Sequence, residues 1–112
     1  MNIQIFGVKK CFDTKKAERY FKERNIKFQY IDLSQKSFSK GEFESVKAAT
    51  GLNELINQKA KEYKKLNLDK IGNSSMREEI LFNHSQLFNT PIVRNGKWAT
   101  VGYKPDIWEE WE

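Results

Sequence analysis

The stretch "NIQIF" over residues 2 to 6 alternates apolar and polar side chains and ends against Gly7, the pattern of a short strand buried on one face. Past Cys11 the period changes. Ala17, Tyr20, Phe21 and Arg24 recur at spacings of three and four, which predicts an amphipathic helix stopped at Asn25. "KFQYIDL" returns to two-residue alternation in aromatic and β-branched residues, with Phe28 and Tyr30 on one side of a second strand and Ile31 and Leu33 on the other. The chain therefore opens β-α-β, and two strands joined in this way within one sheet run parallel with a right-handed crossover.

From Ser39 to about Ser85 the pattern is helical, and three or four short helices are expected. "SKGE" offers a capping box at Ser39 and Glu42, Gly51 a C-terminal stop, and "SMRE" a second box at Ser75 and Glu78. The apolar stripes are Phe43, Val46 and Ala49, then Leu55, Ile56 and Ala60, then Met76, Ile80 and Leu81. Beyond them "TPIVRNGKWATVGY" holds two strand-like runs, residues 91 to 94 and 97 to 101, around Asn95-Gly96, a two-residue hairpin signal. Pro105 then opens a short helix that places Ile107, Trp108 and Trp111 on one face. The summed order is β-α-β, a helical insert over about 39–85, and β-β-α, an α/β chain forming one domain over 1–112.

Composition adds limits rather than detail. Apolar residues at 38%, charged residues at 31% and aromatics at 13% describe a folded chain rather than a disordered one. Apolar runs are only a few residues long, and the N-terminus lacks a charged-then-apolar leader, so a soluble cytoplasmic protein with no membrane association is expected. The net charge of +5 comes from lysines interleaved with glutamates, as on a solvated helix face, with no nucleic-acid motif beside them. Direct nucleic-acid binding is not expected. His84 has no second histidine or cysteine at ligand spacing, so it reads as a solvent-facing residue and no metal site is expected. The three tryptophans, 98, 108 and 111, read as core or rim packing, and Asp13 as a helix cap.

Cys11 carries the candidate chemistry. A single cysteine forms no internal disulfide, so any thiol reaction recruits a partner's sulfur. Taken alone it is small apolar filler. At a strand-to-helix junction, however, unpaired N–H groups and the helix dipole favour negative charge, which lowers a thiol's pKa. Lys9, Lys10, Lys15 and Lys16 add positive potential, and Thr14, one helical turn on, can donate its hydroxyl to the sulfur.

The segments "FGVKKCFDTKKAERYF", "LINQKAKEYKKLNL" and "NTPIVRNGKWATVGY" resemble the ArsC family, the arsenate-reductase-like group that includes Spx and the single-cysteine YffB-type proteins. The resemblance spans nearly the whole chain. It implies a thioredoxin-like fold with a helical insertion between the second and third strands, and a cis Pro91 beside the cysteine. Two departures matter. Spx-type members resemble a C-x-x-C redox switch, whereas Cys11-Phe12-Asp13-Thr14 has no second cysteine. Arsenate reductases of the family hold the oxyanion with arginines; here the central one falls on Asn57 with Lys59 as the nearest cation, the one before Pro91 falls on Thr90, and the last falls near Tyr103 and Lys104. A guanidinium fork and a lysine are not interchangeable, which argues against arsenate as substrate.

The YffB-type likeness implies a monothiol thiol-disulfide oxidoreductase. No bound cofactor is expected, and glutathione or another low-molecular-weight thiol would serve as co-substrate. Cys11 and Thr14 would carry catalysis, Thr90 and Pro91 would pair with the thiol's backbone, and Lys9, Lys10, Asn57, Lys59 and Lys104 are the candidate binding residues. Partners would be a small thiol or a thiol-disulfide protein. The Spx likeness implies an alternative, a transcriptional regulator that docks on the RNA polymerase α subunit without an internal redox switch.

Overall fold

A computed structural model describes residues 1–111, so the expected domain end at residue 112 lies outside the described residues. Among them, four strands form one sheet in the order β2-β1-β3-β4: β1 (Ile3–Gly7), β2 (Phe28–Asp32), β3 (Ile92–Asn95) and β4 (Trp98–Val101). β1 and β2 are parallel, with Ile3 opposite Phe28, while β3 runs antiparallel to both β1 and β4. Helix α1 (Phe12–Glu23) joins the parallel pair, and α6 (Pro105–Glu110) follows β4. Between β2 and β3 lie α2 (Lys40–Thr50), α3 (Leu52–Leu55), α4 (Lys61–Lys65) and α5 (Ser74–Phe82), with 3₁₀ turns at Leu68–Lys70 and Ser85–Leu87. This is the thioredoxin-like plan with its helical insertion.

Strand alternation sorts the core into two layers. Ile3, Ile5 and Val93 meet Ala17, Tyr20 and Phe21 of α1 and Trp108 of α6 on one face of the sheet. Phe6 and Ile92 point the other way, into the larger cluster built by the insert around Phe43, Leu55, Leu81 and Phe88. Each such side chain, fully buried, contributes about 1.5–3 kcal/mol. Trp108 also donates its indole N–H to Thr100 Oγ1 at 2.7 Å, so its polar edge is satisfied inside the core.

Local signals explain most boundaries. α1 ends in a Schellman arrangement: Asn25 takes φ +58°, its N–H bonds the Lys22 carbonyl at 3.1 Å, and the Ile26 N–H bonds the Phe21 carbonyl at 2.9 Å. Ser39 and Glu42 form the reciprocal capping box, and Gly51 closes α2 at φ +88°. The second expected box does not form. Asn73 caps α5 instead, its Oδ1 accepting from the N–H groups of Ser75 and Met76, so the helix begins at Ser74 and Ser75 lies inside its first turn. Met76 and Ala49 are exposed, so those two stripes are narrower than expected.

Other expectations shift by a position. In the hairpin, Asn95 pairs with Trp98, leaving Gly96-Lys97 as the turn, with Gly96 at φ +60° as a type II′ turn requires of its first central residue. Asp13 is not the cap of α1; that position belongs to Cys11, and Asp13 sits in the first turn. On α6 Trp108 is buried while Ile107 is exposed, since a helix this short presents one side chain fully to the sheet.

At the junction of β1 and α1 strand and helix come close together. Gly7 faces the buried Thr14, and a Cβ on Gly7 would stand 2.5 Å from both Cγ2 and Oγ1 of that residue. Gly7→Ala forces strand and helix apart, and we expect a loss of about 1–3 kcal/mol in unfolding free energy. Urea denaturation checks this; an unchanged midpoint would contradict the contact.

Candidate functional site

Cys11 is the N-cap of α1, with φ −84° and ψ 118°. Its main chain is pinned on both sides, the N–H donating to the Val8 carbonyl at 3.1 Å and the carbonyl accepting from the Lys15 N–H at 3.3 Å. The sulfur is partly exposed and donates to the carbonyl of Thr90 at 3.6 Å, a contact between residues 79 positions apart. The Thr90–Pro91 peptide is cis, and Pro91 is buried at the start of β3. Cysteine and proline loops therefore meet, as the resemblance implies.

Partial burial is the largest single influence on the Cys11 thiol and pushes its pKa up. The hydroxyls of Thr14 and Thr90, with the backbone N–H groups of Thr14 and Asp13, together outweigh it, and the thiol sits below its ordinary value. The Thr90 carbonyl contact belongs to the protonated form. Ionisation forfeits it, and the two hydroxyls with the helix N–H groups then receive the charge. Thr14 Oγ1 is fully buried and has no other hydrogen-bond partner, so its proton is available to the sulfur. A buried hydroxyl without a partner is costly in a purely structural role.

Cys11 opens onto a cleft of about 1240 Å³ between the ends of β1 and β2 and the insert. Of the residues proposed from the sequence to bind a thiol, Lys9, Lys10, Asn57 and Thr90 line it. The insert reaches the cysteine through a short backbone ladder: Ile56 bridges Phe88, the Asn57 N–H donates to the Leu87 carbonyl at 2.7 Å, and the Asn89 N–H donates to the Leu55 carbonyl at 2.8 Å. This ladder sets Asn57 beside Leu87, in the lining of the cleft. Its side-chain oxygen is already engaged, accepting from the Lys59 N–H at 3.0 Å.

Two candidates fall elsewhere. Lys59 is exposed outside the cleft lining, and Lys61, at the start of α4, is the cation the insert contributes to it. Lys104 caps α6, its carbonyl accepting from Ile107 and Trp108, and also lies outside the lining. Three contributors escaped the sequence reading. Gly7 makes room for Thr14. Asp32 and Ser34 follow β2 into the cleft, where Asp32 Oδ1 accepts from the Ser34 hydroxyl at 2.6 Å and its N–H at 2.9 Å. Those bonds, with Lys9 nearby, hold the carboxyl below its usual range. The "DLS" spelling is an Asx-turn signal that marks the turn without revealing what it faces.

Thr14→Val tests the sulfur's environment, because it removes the hydroxyl while keeping the shape. Iodoacetamide alkylation of the native protein should follow a pH midpoint below that of a free cysteine thiol, about 8.5. In the variant that midpoint moves up and the rate at neutral pH falls about tenfold, the scale of one hydrogen bond to a charged group. Thermal stability should hold or rise, since an unpaired buried hydroxyl is gone. Equal alkylation of the two proteins would remove Thr14 from the site.

Known proteins share this plan. The uncharacterized protein YusI of Bacillus subtilis is 28% identical over 115 residues, with 98% of each chain covered. The global transcriptional regulator Spx 2 of Oceanobacillus iheyensis is 28% identical over 110 residues, covering 95% of this chain and 80% of that one. An arsenate reductase from Vibrio cholerae superposes with a TM-score of 0.85 at 26% identity, covering 98% of this chain and 97% of the other. The ArsC family description matches residues 6–111, and the chain belongs to the ArsC family.

Proposed function

We propose that the protein is a monothiol thiol-disulfide oxidoreductase that works with a low-molecular-weight thiol, glutathione being the one its cleft suits. The observation that carries this reading is the placement of Cys11 at the head of α1, its thiol pKa lowered and its sulfur opening into a cleft bordered by Lys9, Lys10 and Lys61. The Cys11 thiolate attacks a disulfide that contains the small thiol, forms a mixed disulfide with it, and expels the other sulfur as a thiolate. A second molecule of the small thiol then attacks that mixed disulfide and frees Cys11, as a chain with one cysteine requires.

The cleft chemistry supports a flexible organic ligand over a tetrahedral oxyanion. Lysine ammonium groups are point charges on mobile stems, suited to separated carboxylates, whereas a compact oxyanion is best held by guanidinium forks. Asp32 supplies the acceptor for an α-ammonium group. The volume also exceeds the roughly 300–1,000 Å³ of ordinary small-molecule pockets, leaving space for a peptide-like thiol. Thr90 and Pro91 lie beside the sulfur, where the main chain of such a thiol can pair with Thr90.

A second reading rests on the relatives named global transcriptional regulator Spx. On that reading the chain binds the RNA polymerase α subunit and Cys11 is incidental. One experiment separates the two. Incubated with oxidised glutathione, the protein should gain one glutathionyl group, removed by reduced glutathione and missing in Cys11→Ser; Lys61→Ala should raise KM for a glutathione mixed disulfide several-fold with a smaller change in kcat. No adduct at Cys11, together with binding of purified α subunit that survives Cys11→Ser, would establish the regulator instead.

A further inference from the structure

Phe12 stands immediately after the reactive cysteine, at the first helical position of α1, and is 79% exposed. No other exposed large apolar side chain among the described residues reaches that value; Met1 comes next at 58%. The fold makes no use of the ring. The buried residues of α1 are Thr14, Ala17, Tyr20 and Phe21, and the contact recorded for the ring is with Lys15, whose Nζ lies 5.8 Å from its centroid. Nor does Phe12 line the polar cleft, whose border includes Lys9, Lys10 and Cys11 itself. Next to Cys11 the chain thus presents two different surfaces, a concave cleft bordered by Lys9 and Lys10 and, outside it, an exposed aromatic ring approached by Lys15.

A disulfide arriving at Cys11 has two halves, and the two surfaces differ in what they can hold. The cleft suits the zwitterionic small thiol, which has no apolar group to offer a phenyl ring. The ring suits an apolar side chain next to a protein cysteine, since an exposed aromatic gains by covering its face. We infer that Phe12 is a specificity residue that contacts the protein half of a mixed disulfide between a protein cysteine and the small thiol, so that S-thiolated proteins are the substrate class. The inference rests on the proposed function. The Cys11 thiolate bonds to the small thiol's sulfur, the S–S bond to the protein breaks, and the protein cysteine departs as a thiolate that takes a proton from water. A second small thiol, deprotonated, then bonds to the same sulfur and releases the Cys11 thiolate. The net result is one protein thiol reduced and one small-thiol disulfide formed.

The test compares two substrates on one enzyme. The first is a synthetic glutathionylated peptide with leucine beside its cysteine, and the second the mixed disulfide of glutathione and 2-mercaptoethanol. Because both meet the same sulfur, any change in thiol reactivity cancels in the ratio of their kcat/KM values. Phe12→Ala should lower that ratio, peptide over small disulfide, about tenfold, the scale of one apolar contact, and Phe12→Leu should restore most of it. An unchanged ratio in Phe12→Ala, with turnover of both substrates intact, would overturn the role of Phe12 while leaving the oxidoreductase standing. Absence of any Cys11 adduct with either substrate would overturn both.

Discussion

The close approach of α1 to the end of β1 governs the site. Gly7 has no Cβ, so the helix can come down until Thr14 is sealed against the strand, and only then does the first turn carry Cys11 over Thr90. The same glycine works through its carbonyl, which accepts from the Leu33 N–H at 2.9 Å and extends the parallel pairing one residue past Asp32. That extra bond fixes where β2 leaves the sheet and directs Asp32 and Ser34 to the cleft rim. One small residue thereby positions the sulfur, its hydroxyl donor and the acidic edge of the binding wall.

The insert supplies the remaining wall, and its chemistry follows from how it is tied down. Asn57 is held in the cleft wall by its main-chain bond to Leu87, and Asn89 secures the ladder by donating its amide to the carbonyls of Glu54 and Ile56 at 2.9 and 3.0 Å. The insert is further joined within itself where Lys47 of α2 pairs with Glu78 of α5 and with Glu44. With the Asn57 oxygen spent on its own loop, that side chain has its amide N–H groups to offer, and among the described residues no arginine lines the cleft. What borders the cleft is a set of separated charges, an arrangement that favours length and flexibility in a ligand over compact high charge.

Sequence legibility divides along the range of the interaction. The Ser39–Glu42 box, the Asn25 stop and the strand alternation that splits Phe28 and Tyr30 from Ile31 and Leu33 are all set by residues within a few positions of one another, and each can be read by eye. Competition between neighbouring caps is harder: Asn73 and Ser75 are both good N-caps, and the winner depends on backbone approach rather than on residue type. Cys11, Thr14, Thr90 and Pro91 were legible as a group through a family resemblance and a turn of helix. The Gly7–Thr14 contact and the replacement of Lys59 by Lys61 depend on how distant segments pack, and two lysines two positions apart carry no local mark of which borders the cleft.

The Thr14 hydroxyl links reactivity to folding with a definite sign. Because the Cys11 pKa is lowered in the folded chain, the folded form binds this proton less tightly than the unfolded one. The resulting stabilisation is fully present above the pKa of an unfolded thiol, about 8.5, and is lost as pH falls through the folded value. A mixed disulfide at Cys11 removes the charge and with it the interaction between Thr14 and the thiolate. In the proposed cycle the same hydroxyl therefore acts twice: it raises the fraction of attacking thiolate, and it makes Cys11 the better leaving group when the second thiol arrives, because a sulfur of lower pKa departs faster. A single cysteine needs both properties, since the chain supplies no second sulfur to resolve the adduct.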